Sequence, residues 1–156
     1  MPDPHEVLLV IQQWVQKAEN DLQTATHTLQ LGEDCPTDTV CFHAQQCIEK
    51  YLKALLVLHE IEFRRTHNLG VLIARLPQQT RPRLTPEEQE QLTEYATTTR
   101  YPGDYEPIPL TEAKQAVRLA RRVRQAMRKQ LPRQATKRLS AGRGSGAAGR
   151  KHRGRA

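Results

Sequence analysis

Two short segments hold the residues of this chain best suited to chemistry. In residues 41–56 (CFHAQQCIEKYLKALL), His43, Gln46, Lys50 and Lys53 recur at steps of three and four, with Glu49 beside them. That repeat is one face of a helix. Two ammonium groups, an amide and an imidazole on one face suit a phosphate-bearing ligand, because their donors enter the same space. The bland alternative is a solvated surface on which Glu49 pairs with Lys53 at i,i+4, worth roughly a few tenths of a kcal/mol. Downstream, Thr99-Arg100-Tyr101-Pro102-Gly103-Asp104 sets a guanidinium and a ring at a helix end. Pro102, Pro107 and Pro109 stiffen the loop that follows. Such an arginine can hold a phosphate and such a ring can stack on a base. The alternative is an arginine that complements the helix dipole beside a packed tyrosine.

The elements that must position these groups are all helices. Asp3-Pro4-His5-Glu6 combines an N-cap, a proline at the first helical position and a capping-box glutamate. Val7, Ile11, Trp14, Ala18, Leu22, Ala25 and Leu29 then hold one face, until Gly32 permits a C-terminal cap. A second helix is predicted over about 37–59, with Ala44, Ile48, Tyr51, Leu55 and Leu58 on its apolar face. A short third follows Thr66-His67-Asn68 and stops near Pro77. Thr85-Pro86-Glu87-Glu88 repeats the cap signature for a fourth helix to about Thr99. The fifth opens at Thr111 and buries Ala113, Ala116, Val117, Ala120, Val123 and Met127. No stretch alternates with period two for long enough to be a strand. The fold class is all-α, an up-and-down bundle of four main helices with one short extra helix.

The 156 residues carry a formal net charge of +7, unevenly spread. Residues 1–112 hold nine basic and all seventeen acidic side chains, whereas 113–131 hold seven basic and none acidic. Residues 132–156 add eight Lys or Arg, again with no acid, in a Gly-, Ala- and Arg-rich composition. Its only large aliphatic is Leu139, so burial cannot offset the entropy of ordering. The expected organisation is a helical domain over residues 1–131 and a disordered basic tail over 132–156, able to attract nucleic-acid phosphates. With only Trp14, Phe42, Phe63 and four tyrosines, the core is thin in aromatics, which favours an oligomer.

Cys35, Cys41 and Cys47 show no C-x-x-C spacing, and positions 41 and 47 face different sides of a helix. They read as buried thiols of a reducing cytoplasm. No apolar run suits a membrane span or a signal peptide, so a cytoplasmic protein is expected. His5, His27, His59 and His152 have no catalytic context, and no set of His, Cys and carboxylates has metal-ligand spacing, so neither metal nor cofactor is expected.

Four motifs in register carry a family resemblance: Trp14-x-x-Lys17-Ala18-Glu19-x-Asp21-Leu22-x-x-Ala25; Phe42-His43-Ala44-Gln45-Gln46-x-x-Glu49-Lys50-x-Leu52-Lys53-Ala54-Leu55-Leu56; Thr66-His67-Asn68-Leu69; and Tyr95-x-x-x-Thr99-Arg100-Tyr101-Pro102. Over roughly residues 7–130 the chain resembles the HEPN domain, named for nucleotide binding in higher eukaryotes and prokaryotes. The resemblance implies a small helical bundle, usually a homodimer, often encoded beside a minimal nucleotidyltransferase that acts as antitoxin to a HEPN toxin. Because a phosphate needs converging charged donors and a base needs a planar surface, Gln46, Lys50, Lys53, His67, Arg100 and Tyr101 are expected to line one cationic site for nucleotide or RNA.

Many HEPN proteins are metal-independent ribonucleases that use an Arg, four to six intervening residues and a His. The imidazole moves protons while the guanidinium holds the scissile phosphate. Here Arg100 matches the arginine, but residues 105–107 are Tyr, Glu and Pro. Tyr105 stands where the shortest-spaced histidine would be, and a phenol of pKa about 10 is a poor base at neutral pH. The leading expectation is therefore a dimeric nucleotide- or RNA-binding partner of a nucleotidyltransferase, without ordinary HEPN ribonuclease activity. The alternatives are a metal-independent endoribonuclease that recruits His43, His67 or Tyr105 beside Arg100, and an RNA-binding adaptor acting through its basic tail.

Overall fold

Helix α1 (Pro4–Leu29) begins as the sequence predicts, with the Asp3 side chain accepting from the His5 backbone N–H at 3.0 Å. Its buried stripe is Ile11, Val15, Ala18, Leu22 and Ala25, joined by the carboxylate of Asp21. Gly32, at a φ of 67°, turns the chain into a 3-10 turn (Gly32–Asp34) that leads to α2 (Thr37–Leu58). Asn68 caps the short α3 (Leu69–Arg75) by accepting from the Val71 backbone N–H at 3.2 Å. Thr85 caps α4 (Pro86–Thr97) through the Glu88 N–H at 3.1 Å. Helix α5 (Leu110–Arg128) buries the expected apolar row together with Leu119. This computed structural model describes residues 1–97, 102–103 and 106–137. Among them the protein is all-α, with no strand.

Helix α2 is the axis of the bundle, packed against α1, α3, α4 and α5. A helix enclosed by four neighbours has little surface left for water. Gln45, Gln46, Glu49 and Lys53 are accordingly buried along with Cys41, Ile48, Tyr51 and Leu55. The solvated stripe expected from periodicity is thus partly core. Lys53, expected outside the core, is 7 % exposed.

The second departure is at the C-terminal end. Residues 133–136 form a further helix, α6 (Arg133–Thr136), where a tail starting at 132 was expected to be disordered. Leu131 and Ala135 are buried, and Gln12 donates to the Gln134 carbonyl at 2.8 Å. Two apolar anchors and the hydrogen bond from the Gln12 side chain dock the segment on α1, which composition averaged over 25 residues conceals. The described packed region therefore extends past residue 131, to Lys137. The rest of the predicted tail, residues 138–156, lies outside the described residues.

Candidate functional site

The polar stripe of α2 divides into two separate networks, each built on a carboxylate. Asp21 of α1, 8 % exposed, receives Lys50 Nζ at 2.5 Å on one oxygen and faces His43 Nδ1 at 2.8 Å with the other. Asp21 thus occupies the ammonium that the helical period assigns to a phosphate. Lys50 and His43 remain at the edge of the bundle, with side chains 20 % and 26 % exposed.

One turn further along α2, Glu49 is 2 % exposed and gathers three partners. Lys53 Nζ lies 3.2 Å from Oε2, His67 Nδ1 lies 2.7 Å from Oε1, and Gln45 Nε2 reaches the same oxygen at 3.5 Å. Gln45 also donates to the His67 carbonyl at 3.0 Å, so it holds the α2–α3 linker in place. Gln46, predicted as a ligand contact, instead donates to Gln45 Oε1 at 2.7 Å. Lys53 Nζ stands 5.3 Å from the Trp14 ring centre and 5.9 Å from that of Phe63, and the two rings meet edge to face. Aromatic faces and a buried carboxylate together replace the water an ammonium loses on burial.

His67 is the exposed end of this second network, with half of its side chain in solvent. A carboxylate can only accept, so Nδ1 donates to Glu49, and Nε2 makes no hydrogen bond among the described residues. This carboxylate–imidazole pair fixes the ring for proton exchange at its outer nitrogen. Beside it, Phe63, Arg64, Arg65, Thr66 and Arg75 line a recess of about 280 Å³. Those three arginines were not singled out in the sequence, although two are adjacent and next to the Thr-His-Asn-Leu motif.

A third network ties α5 to α1. Glu19 accepts from Arg124 Nε at 2.8 and 3.0 Å, from Arg128 Nη1 at 2.7 Å and from the Tyr51 hydroxyl at 2.6 Å. Burial is the largest single influence on Arg124 and opposes its charge, but the hydrogen bond to Glu19 and the negative charge around it together outweigh burial and raise the guanidinium pKa. Tyr51 is raised by burial and then by donating to Glu19. The sequence signal for this network is faint. Glu19 belongs to the first motif, and Arg124 and Arg128 are a plain i,i+4 pair on a basic helix.

Arg100, Tyr101 and Tyr105 lie outside the described residues. The stems on either side of them are held firmly. Tyr95 near the end of α4 donates to Glu112 Oε1 of α5 at 2.8 Å, and Gln91 donates to the same oxygen. Thr37 at the start of α2 donates to the Ile108 carbonyl at 2.7 Å. Of the residues singled out in the sequence, His67 and Lys53 meet through Glu49, whereas Lys50 belongs to the separate Asp21 network. Among the described residues no three His, Cys, Asp or Glu side chains form a cluster able to hold a metal ion. No helix among them is long and apolar enough to cross a membrane.

Comparison with known proteins places this architecture. The chain is similar to TT1696 from Thermus thermophilus, with 28 % identity and a TM-score of 0.62 over 78 % of this chain and 98 % of that one. It is also similar to ST0689, an archaeal HEPN homologue, with 27 % identity and a TM-score of 0.61 over 77 % of this chain and 96 % of the other. No curated protein is a significant match. The HEPN domain model matches residues 11–130, from the first buried residue of α1 to just past the end of α5. The chain belongs to the HEPN domain family.

Proposed function

We propose that this HEPN protein binds nucleotide or RNA as a cytoplasmic homodimer. It acts as partner of a minimal nucleotidyltransferase in a toxin–antitoxin-like pair, without the ordinary HEPN ribonuclease activity. Family membership supports the nucleotide-related role. The choice of binding over cleavage is carried by one observation: residues 105–107 after Arg100 are Tyr, Glu and Pro, so no histidine stands at the catalytic spacing. Arg100 and Tyr101 supply a guanidinium for phosphate and a ring for a base, and Arg64, Arg65 and Arg75 add positive charge beside His67. The test is purified full-length protein against total RNA and against nucleotides, without metal. Binding without cleavage is expected, with Arg100→Ala weakening it by about 1–3 kcal/mol, the range for a charge-assisted contact. Absence of any binding overturns the proposal. An adjacent nucleotidyltransferase reading frame, and a stable complex of the two products, test the partnership.

A second reading, a metal-independent endoribonuclease, is favoured by the Glu49–His67 pair. RNA cleavage by this route needs a base to take the proton of the 2′-hydroxyl and an acid to protonate the departing 5′ oxygen. His67, half exposed and tied through Nδ1 to a buried carboxylate, keeps Nε2 for either role. His67→Ala distinguishes the readings. Cleavage that collapses while binding persists assigns the enzyme, and an uncleaved substrate with the unaltered protein leaves the binding module.

A further inference from the structure

A concavity larger than the recess beside His67 lies elsewhere, in a groove of about 600 Å³ between α1, α5 and α6. Arg121, Arg124 and Arg128 enter it in one row, because steps of three and four keep side chains on one helical face. His27 of α1 and Lys137 after α6 stand at its walls, and its one carboxylate is Glu19. Glu19 is matched by two guanidiniums, so the groove keeps a net positive charge.

The division of labour among the arginines matters. Arg128 is consumed by the fold, bonded to Glu19, the Tyr51 hydroxyl and the Thr136 carbonyl. Arg124 meets Glu19 through Nε alone, which orients the guanidinium and leaves both terminal nitrogens without a partner among the described residues. Among the described residues Arg121 makes only a 3.4 Å hydrogen bond to Thr26, and its side chain is exposed. Glu19 therefore acts as a floor that stiffens one guanidinium for an anion lying above it. A fixed planar fork of donors is the geometry that grips phosphate oxygens.

We infer that this α1/α5/α6 groove is a binding track for the phosphodiester backbone of single-stranded RNA, separate from the Arg100 region and read without regard to base sequence. The lining has no Trp, Tyr or Phe, so it offers no broad platform on which a base would stack. Recognition thus falls on phosphate rather than on base. Lys137, the last of the described residues, stands on the groove wall. Arg121, Arg124 and Lys137 along the groove offer several cations to a strand longer than a mononucleotide. The inference rests on the reading that the protein handles nucleotide or RNA, and it locates part of that binding.

The experiment is fluorescence anisotropy of the full-length chain with labelled twelve-nucleotide oligo(U) and oligo(A) across a salt series. The variant is Arg121→Ala/Lys137→Ala, which changes two exposed side chains and keeps the Glu19 network. Its melting temperature serves as the check on folding. Affinity for both oligonucleotides is expected to fall together by about tenfold at 0.1 M salt. The slope of log affinity against log salt is expected to shrink by about 0.7 for each phosphate that the variant no longer neutralises. AMP and inorganic phosphate at millimolar concentration are expected to compete poorly, which separates a backbone track from a mononucleotide pocket. Unchanged affinity and slope in the variant, with binding abolished in Arg100→Ala, overturns the groove and leaves the proposed function standing. Equal competition by AMP overturns the backbone assignment. No RNA binding by the unaltered protein overturns the groove, and failure to bind nucleotides as well overturns the proposed function with it.

Discussion

At Glu49 a carboxylate occupies a position that an apolar side chain would ordinarily fill, and it depends on Lys53 Nζ and His67 Nδ1 to be there. With side chains 3 % and 9 % exposed, Glu49 and Lys53 form a buried pair. Removing one member of such a pair strands the other, at a cost of about 3–5 kcal/mol. Lys53→Met is therefore expected to lower the free energy of unfolding in urea by that amount, and Lys53→Met/Glu49→Leu to recover most of it. An unchanged midpoint for the single variant would mean that water solvates the pair. Other buried groups set the alkaline limit. Burial, with help from the charge of Glu112, pushes the Cys41 thiol from 9.0 up to about 12. Cys47, Tyr51 and Tyr95 are raised too, each first by burial. Between pH 9 and 12 the unfolded chain releases the Cys41 proton while the folded chain keeps it. Stability is thus level with respect to this group below its unfolded pKa and falls as pH rises above it. Unfolding midpoints from about pH 7 to about pH 11 should show that decline, and Cys41→Ala should reduce its slope.

At the scale of elements, α6 tests what four residues contribute to a bundle. Its attachment consists of Leu131, Ala135, the Gln12–Gln134 hydrogen bond and the Arg128–Thr136 hydrogen bond. Burial of one leucine side chain contributes about 2 kcal/mol. A chain ending at Lys137 is expected to melt at the temperature of the full-length protein. A chain ending at Gln130 should lose at least about 2 kcal/mol, read by urea denaturation, because Leu131 and both hydrogen bonds go with it. Equal stability of the two truncations would show that α6 only rests on α1. The composition of residues 132–156 pointed to uniform disorder, since Gly and Arg dominate the average. The docked stretch is too short to show a helical period.

For the whole molecule, the expectation concerns assembly and charge. Its 156 residues contain seven aromatic side chains, and three of the helices enclose α2 with small residues such as Ala18, Ala25, Ala96, Ala113, Ala116 and Ala120. A bundle of this size gains from burying further surface between two copies. Light scattering at tens of micromolar should give about twice the 17.9 kDa chain mass. A mass of one chain at that concentration would overturn the dimer.

The helices and their caps were legible in the sequence because they depend on neighbours three or four positions away. Asp3, Asn68 and Thr85 each satisfy backbone N–H groups of the next few residues, and the apolar rows of α1 and α5 follow from periodicity alone. The i,i+4 pairing of Glu49 with Lys53 was legible on the same ground, whereas its burial was not. Burial depends on how many helices surround α2, and a single helix carries no record of that number. The partners of the cations were hidden for a related reason. Lys50 meets Asp21 across 29 positions, His67 meets Glu49 across 18, and Arg124 meets Glu19 across 105. A lysine or arginine announces a charge in the sequence, but only the packing of the helices decides whether a carboxylate or a ligand receives it. Lys50 and Lys53 are answered by carboxylates within the fold, whereas Arg121 and the outer nitrogens of Arg124 meet no carboxylate among the described residues.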